Sequence, residues 1–137
     1  MKKKIAFCFL LYDAVKHTST WEKFFKEDVG KTASIYAHIK KVSDKTQPWI
    51  EMNKIKTIKT DYCDVSLVFA WIKLLRNALK NKENAYFAIL SGECIPLFSY
   101  SEVYSKITKS SKSRVNHDNN AESRYYTKYY WADQWVI

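Results

Sequence analysis

Residues 4–12 read KIAFCFLLY, a nearly unbroken apolar run. It is too short to cross a bilayer and shows no polar alternation, the pattern of a strand buried on both faces. Two further runs share its character, ASIYAHI at 33–39 and AYFAIL at 85–90. Between them stand segments with helical signals. Ser19-Thr20-Trp21-Glu22 has the spacing of a capping box, followed by the apolar stripe Trp21, Phe24 and Phe25, with Gly30 to end the segment. Leu67, Ala70/Trp71, Leu74/Leu75 and Ala78/Leu79 recur at i, i+3, i+4 and predict a helix over 65–80, with Asp64 or Ser66 at its cap. Ser99-Tyr100-Ser101-Glu102 is a second capping-box match opening a helix to about 109, and Ile55-Lys56-Thr57-Ile58-Lys59 alternates like a strand with one wet face.

This order predicts an α/β fold, a mostly parallel sheet with helices on both faces, formed as one domain over 1–137. In such sheets ligands bind beyond the carboxyl ends of the strands. Tyr12-Asp13, His38 and Ser91-Gly92-Glu93 fall at those ends.

Composition narrows the class. The chain has 137 residues, 47% hydrophobic and 16% aromatic, enough apolar material for a folded core. No stretch approaches the about 20 apolar residues of a membrane span. The Lys-rich start followed by an apolar run imitates a signal peptide but lacks a small-x-small cleavage site, so a first strand is the preferred reading. Cys8, Cys63 and Cys94 form no CxxC, which suggests neither a disulfide framework nor a zinc knuckle and points to a reducing compartment. The net charge of +9 favours anionic partners without choosing among nucleic acid, membrane surface and phosphorylated small molecules. With two glycines the chain builds neither GxGxxG nor GxxxxGK[ST], and HExxH and GxSxG are also absent.

The stretch LSGECIPL at 90–97 uses one of the two glycines and one of the two prolines around Glu93. Gly92 permits a sharp turn or the close approach of a ligand, and Pro96 fixes the exit. Glu93 would then stand over the sheet edge, able to accept hydrogen bonds from a sugar or polarise a hydroxyl. The competing reading is a surface carboxylate in a turn that Gly and Pro merely shape. His38 in an aromatic strand reads as a phosphate partner or as a core histidine, and Asp13 as a ribose or base ligand or as a strand-end turn residue. Tyr125, Tyr126, Tyr129, Tyr130 and Trp131, interleaved with Arg124 and Lys128, read as base-stacking or as packing. His117-Asp118 is too isolated for a metal site.

KIAFCFLLYD, WEKFF, SIYAHIK, DVSLVFAWIKLLRNAL, YFAILSGECIPLFSYSEVYSKI and DQWVI together resemble, in that order, the core-2/I-branching enzyme family. These are inverting glycosyltransferases of the β-1,6-N-acetylglucosaminyltransferase and xylosyltransferase type, and the similarity is greatest to plant and large-virus members. The resemblance implies a GT-A-like fold, a UDP-sugar donor, a glycan or protein acceptor, and catalysis without a metal ion. Ser91-Gly92-Glu93 stands where most GT-A enzymes carry Asp-x-Asp. Tyr12, Asp13, His38, Ser66, Ser91, Gly92 and Glu93 become candidate donor-binding residues, with Glu93 also the weak candidate for a catalytic role. Tyr62-Cys63 and Lys40 depart from the family's usual residues. The resemblance places the catalytic glutamate and the diphosphate-binding basic residues beyond Ile137, so the general base is unassigned. An ending at Trp135-Val136-Ile137, in a strand-like stretch, is expected of a fragment, a degenerate product, or one half of an enzyme that a second polypeptide completes. Relatives are often Golgi proteins with a membrane anchor, whereas this chain suggests a cytoplasmic protein. A non-catalytic basic module binding nucleic acid or another polyanion is the alternative function.

Overall fold

The computed structural model describes residues 3–26 and 28–113. Chain order is β1 (Lys4–Leu11), α1 (Thr18–Phe25), β2 (Ala33–Ile39), α2 (Pro48–Glu51), α3 (Ser66–Ala78), β3 (Asn84–Ser91) and α4 (Tyr100–Thr108). The three strands are parallel in the order β2-β1-β3. Ile5 through Leu11 pair with Ala33 through Ile39 on one side, and Ile5 through Leu10 with Tyr86 through Ser91 on the other. The α/β class and the three main strands match the sequence expectation. The closing aromatic residues and His117-Asp118 lie outside the described residues.

Strand alternation divides β1 between two cores. Ile5, Phe7, Phe9 and Leu11 face α1, α2 and α4, where they meet Trp21, Phe24, Phe25, Ile50, Tyr100 and Val103. The rings interlock edge-to-face, Phe7–Phe25 at 5.0 Å and 80° and Phe9–Trp21 at 5.2 Å and 86°, the geometry that the ring quadrupole favours. Ala6 and Cys8 face the other way onto Leu74 and Ala78 of α3. Small residues on both partners let this helix lie close to the sheet. Burial pushes the Cys8 thiol up to about 12, so it behaves as a small apolar group.

Two local expectations are corrected. Helix α1 starts at Thr18 with no side-chain cap, so the Ser19–Glu22 box is not formed. The Thr18 hydroxyl instead accepts from Trp49 Nε1 at 3.1 Å, and tertiary packing sets the boundary. The alternating segment 55–59 is not a strand either. Ala37 N–H donates to Asn53 O and Ile55 N–H to Ala37 O, a single parallel bridge on the outer edge of β2. Beyond it Thr57 Oγ1 donates to Ile39 O, and the Ile58 backbone meets the His38 ring, so side chains displace the ladder. The second capping box is present: Ser99 Oγ accepts from Glu102 N–H, and the Glu102 carboxylate accepts from Ser99 N–H at 3.0 Å. The Ser99 hydroxyl, donating to Glu102 Oε2 at 2.6 Å, and then the Ser99 N–H hold the Glu102 carboxyl below its usual range.

Urea unfolding tests this division. Leu74→Ala, which empties a fully buried site under α3, lowers stability by about 2–5 kcal/mol. Ser99→Ala costs about 1 kcal/mol through loss of its cap, whereas Ser19→Ala stays within about 0.5 kcal/mol.

Candidate functional site

The carboxyl ends of the three strands release loops that are bonded to one another. Lys40 and Lys41, just past β2, donate their N–H groups to Leu11 O and Tyr12 O at 3.0 and 2.9 Å. Asp13 accepts through its carbonyl from Thr46 Oγ1 at 2.8 Å and through its carboxylate from Ser43 Oγ at 3.3 Å. The Gln47 amide grips Val15 at both ends, accepting its N–H at 3.1 Å and donating to its carbonyl at 2.9 Å. One side chain thereby satisfies a non-strand residue whose own side chain is buried.

The third loop joins from β3. Lys16 N–H donates to Gly92 O at 3.0 Å, and the two backbones approach so closely that a Cβ on Gly92 would lie 2.8 Å from Ala14 O. Gly92 is thus required by contact with the chain's own β1 loop, which sequence left open between a turn and a ligand. Ser91 Oγ accepts from Glu93 N–H at 3.3 Å, and Trp21 Nε1 donates to Cys94 O at 2.9 Å, tying this turn to α1.

In a sheet ordered β2-β1-β3 the chain leaves β1 toward one side and later returns to the other. The switch point falls between β1 and β3, where open α/β sheets place their ligands. Lys16 Nζ and Glu93 Oε2 meet there at 2.8 Å, with side chains 65% and 68% exposed. An ion pair so exposed contributes little to stability and opens at small cost to admit a ligand. Tyr12, the residue after β1, is 65% exposed, with its carbonyl bonded to Lys41 N–H from the β2 side. Lys40, Lys41 and Lys45 are exposed around the same platform, giving it a cationic rim suited to an anionic ligand.

Tyr12, Asp13, Ser91, Gly92 and Glu93 are therefore brought to one platform. His38 is not on its surface: it is wholly buried, with Nε2 3.1 Å from Ile58 N and 3.2 Å from Ile58 O and Nδ1 without a partner. Desolvation lowers its pKa, because the charged ring would need an acceptor for the Nδ1 proton. Ser66 sits on the β2 flank, its hydroxyl accepting from Asp61 N–H at 2.9 Å while Lys40 and Asp61 approach to 4.0 Å. Hydrogen bonds from Ser66 hold the neighbouring Asp64 carboxyl below its usual range. Sequence reading missed Lys16 and Gln47. A lysine five residues past a strand gives only a weak signal, and the glutamine's partner is 32 residues away. Among the described residues no three His, Cys, Asp or Glu side chains gather as a metal site requires, and no helix is long and apolar enough to cross a membrane.

Residues 5–134 match the family model of the Core-2/I-Branching enzyme. The chain belongs to this family. A similar curated protein is glycosyltransferase BC10 of Oryza sativa subsp. japonica, 25% identical over 119 residues, which are 82% of this chain and 30% of that protein. The branching-enzyme chain therefore spans about 30% of the length of the relative it matches. No solved structure matches it.

Two measurements check the placements. Gly92→Ala forces a side chain against a backbone carbonyl and lowers stability by about 1–3 kcal/mol in urea unfolding, while Glu93→Gln leaves stability nearly unchanged. His38 has a folded pKa below the unfolded value of about 6.5. Its contribution is complete above that value and is lost as pH falls toward the folded pKa. Unfolding free energy thus decreases from pH 7 to 5 in the natural chain, and less steeply in His38→Gln.

Proposed function

We propose that this chain forms the donor-binding portion of a glycosyltransferase that takes a UDP-sugar, with GlcNAc or xylose the sugars the family suggests. The observation that carries the reading is the Lys16–Glu93 pair, standing open over the β1/β3 switch point of a branching-enzyme chain. The named relative is a glycosyltransferase, which supports the activity class. In this reading the exposed Tyr12 ring offers a face for the nucleobase, and Asp13, fixed by Thr46 and Ser43, lies where a ribose hydroxyl can donate to it. Lys16 leaves Glu93 and turns to the diphosphate, supplying the charge that a metal ion supplies in other nucleotide-sugar enzymes. Glu93, released, accepts a hydrogen bond from a donor or acceptor hydroxyl.

Transfer with inversion needs a base to remove the acceptor proton as its oxygen attacks the anomeric carbon and UDP departs with the bonding pair. No described residue is assigned that base. His38 has no part in this mechanism, because its ring is buried in the sheet.

Calorimetric titration of the whole chain with UDP, UDP-GlcNAc, UDP-xylose and UDP-glucose, with and without EDTA, tests the proposal. The expected result is selective binding of one UDP-sugar, insensitive to EDTA. Lys16→Ala should weaken it by about 10–100-fold, the range for losing a hydrogen bond to a charged group. A chain that is folded by circular dichroism and binds none of these nucleotides overturns the reading.

A further inference from the structure

Val15 lies in no strand or helix, yet it is only 2% exposed, so both of its backbone polar groups need partners within the protein. Gln47 supplies the two together, Oε1 accepting from Val15 N–H at 3.1 Å and Nε2 donating to Val15 O at 2.9 Å. A carboxamide carries an acceptor and a donor side by side, so this contact copies one rung of a β-ladder. The base of the rung is itself fixed. Gln47 is the N-cap of α2, where Ile50 and Glu51 N–H both donate to its carbonyl at 3.0 Å, and the Ile50 side chain is wholly buried.

The Val15–Lys16 peptide carries this grip toward β3. Its carbonyl is the Val15 O that accepts from Gln47, and its N–H is the Lys16 N–H that donates to Gly92 O at 3.0 Å. A peptide unit is planar, so a bond at each end stops it from turning and fixes the Lys16 Cα with it. With Gly92 alone the plane could still rotate about its single bond. The Lys16 side chain beyond that Cα is mostly exposed and held only by the Glu93 carboxylate at 2.8 Å. Where its ammonium can reach is therefore decided by the backbone from which it starts.

We propose that Gln47 is a positioning residue for Lys16: by holding the Val15–Lys16 peptide from the β2 side, it sets where the Lys16 ammonium stands over the β1/β3 switch point. Both ends of its amide are engaged with Val15, so it acts through the peptide and not on a ligand. Its bearing on ligand affinity rests on the reading of this platform as a nucleotide site, whereas the placement of the Lys16 backbone does not.

Two variants of the whole chain test it. Gln47→Glu keeps the length and the acceptor but sets a carboxylate oxygen against Val15 O, and Gln47→Met keeps the length and removes both bonds. Hydrogen exchange is followed residue by residue by NMR. The Lys16 amide, which Gln47 does not touch, is expected to lose protection about tenfold in both variants, while Phe7 and Phe9 inside β1 keep theirs. Unchanged protection at Lys16 overturns the proposal, and so does a uniform loss along β1, which would make Gln47 a stabiliser of the fold and nothing more. UDP titration tests the action through Lys16. Gln47→Met, which adds no charge, is expected to raise the UDP dissociation constant about 3–10-fold in the natural chain, but less than about 2-fold in a Lys16→Ala background. Equal fold-changes in the two backgrounds overturn the proposal. A natural chain that binds no UDP overturns the nucleotide reading instead, and the exchange at Lys16 then decides the positioning by itself.

Discussion

Burial of β1 on every side is the constraint from which the other features follow. Its backbone is paired along both edges, its Ile5–Phe7–Phe9 face is closed by the rings of α1 and α4, and its Ala6–Cys8 face by α3. A strand so enclosed has no polar position to spare, which explains its almost uninterrupted apolar sequence. The two faces differ in size for a reason. Phenylalanines fill the wide space under three short helices, whereas alanine and cysteine admit one longer helix at close range.

Because β1 is central, the loop that leaves it is central too. Residues 11–16 are held from one flank by Thr46, Gln47 and the amides of Lys40 and Lys41, and from the other by the carbonyl of Gly92. The holding is done by backbone groups and by partly buried amide and hydroxyl groups, which are costly to separate once water is excluded. What stands on the platform is different: Tyr12, Lys16 and Glu93 are mostly exposed and bound only by a surface ion pair. A rigid floor carrying groups that exchange partners at little cost is the arrangement a polar-ligand site needs.

The parts legible from sequence are those set by local pattern. The apolar runs at 4–12, 33–39 and 85–90 could bury only as strands of one sheet, and the i, i+3, i+4 spacing around Leu74 could bury only as a helix. The 99–102 box formed because its bonds are all local: Ser99 and Glu102 satisfy each other's N–H groups across three residues, and the Ser99 hydroxyl adds a bond to the same carboxylate. The 19–22 box did not form, because Trp49 drew Thr18 into the helix start from 31 residues away. The same limit explains the segment 55–59, whose ladder is taken over by His38 and Thr57 side chains. Position beyond the strand ends puts Tyr12, Asp13 and the 91–93 turn on one platform. Of the two readings open for His38, the buried one holds, because alternation turns its ring into the core one residue before β2 ends. Lys16 and Gln47 are defined by partners 77 and 32 residues distant, which no local pattern encodes.

The central claim is that the loops around the β1/β3 switch point form a nucleotide site. It is tested most directly by titrating the isotopically labelled whole chain with UDP and following every backbone amide by NMR. The account predicts that the largest shift changes fall on residues 12–16, 40–47 and 91–95, with the buried strand interiors little moved. Changes centred on Leu79 and Ile107 beside β3, or on the opposite end of the sheet near Asp28 and Glu83, would contradict it.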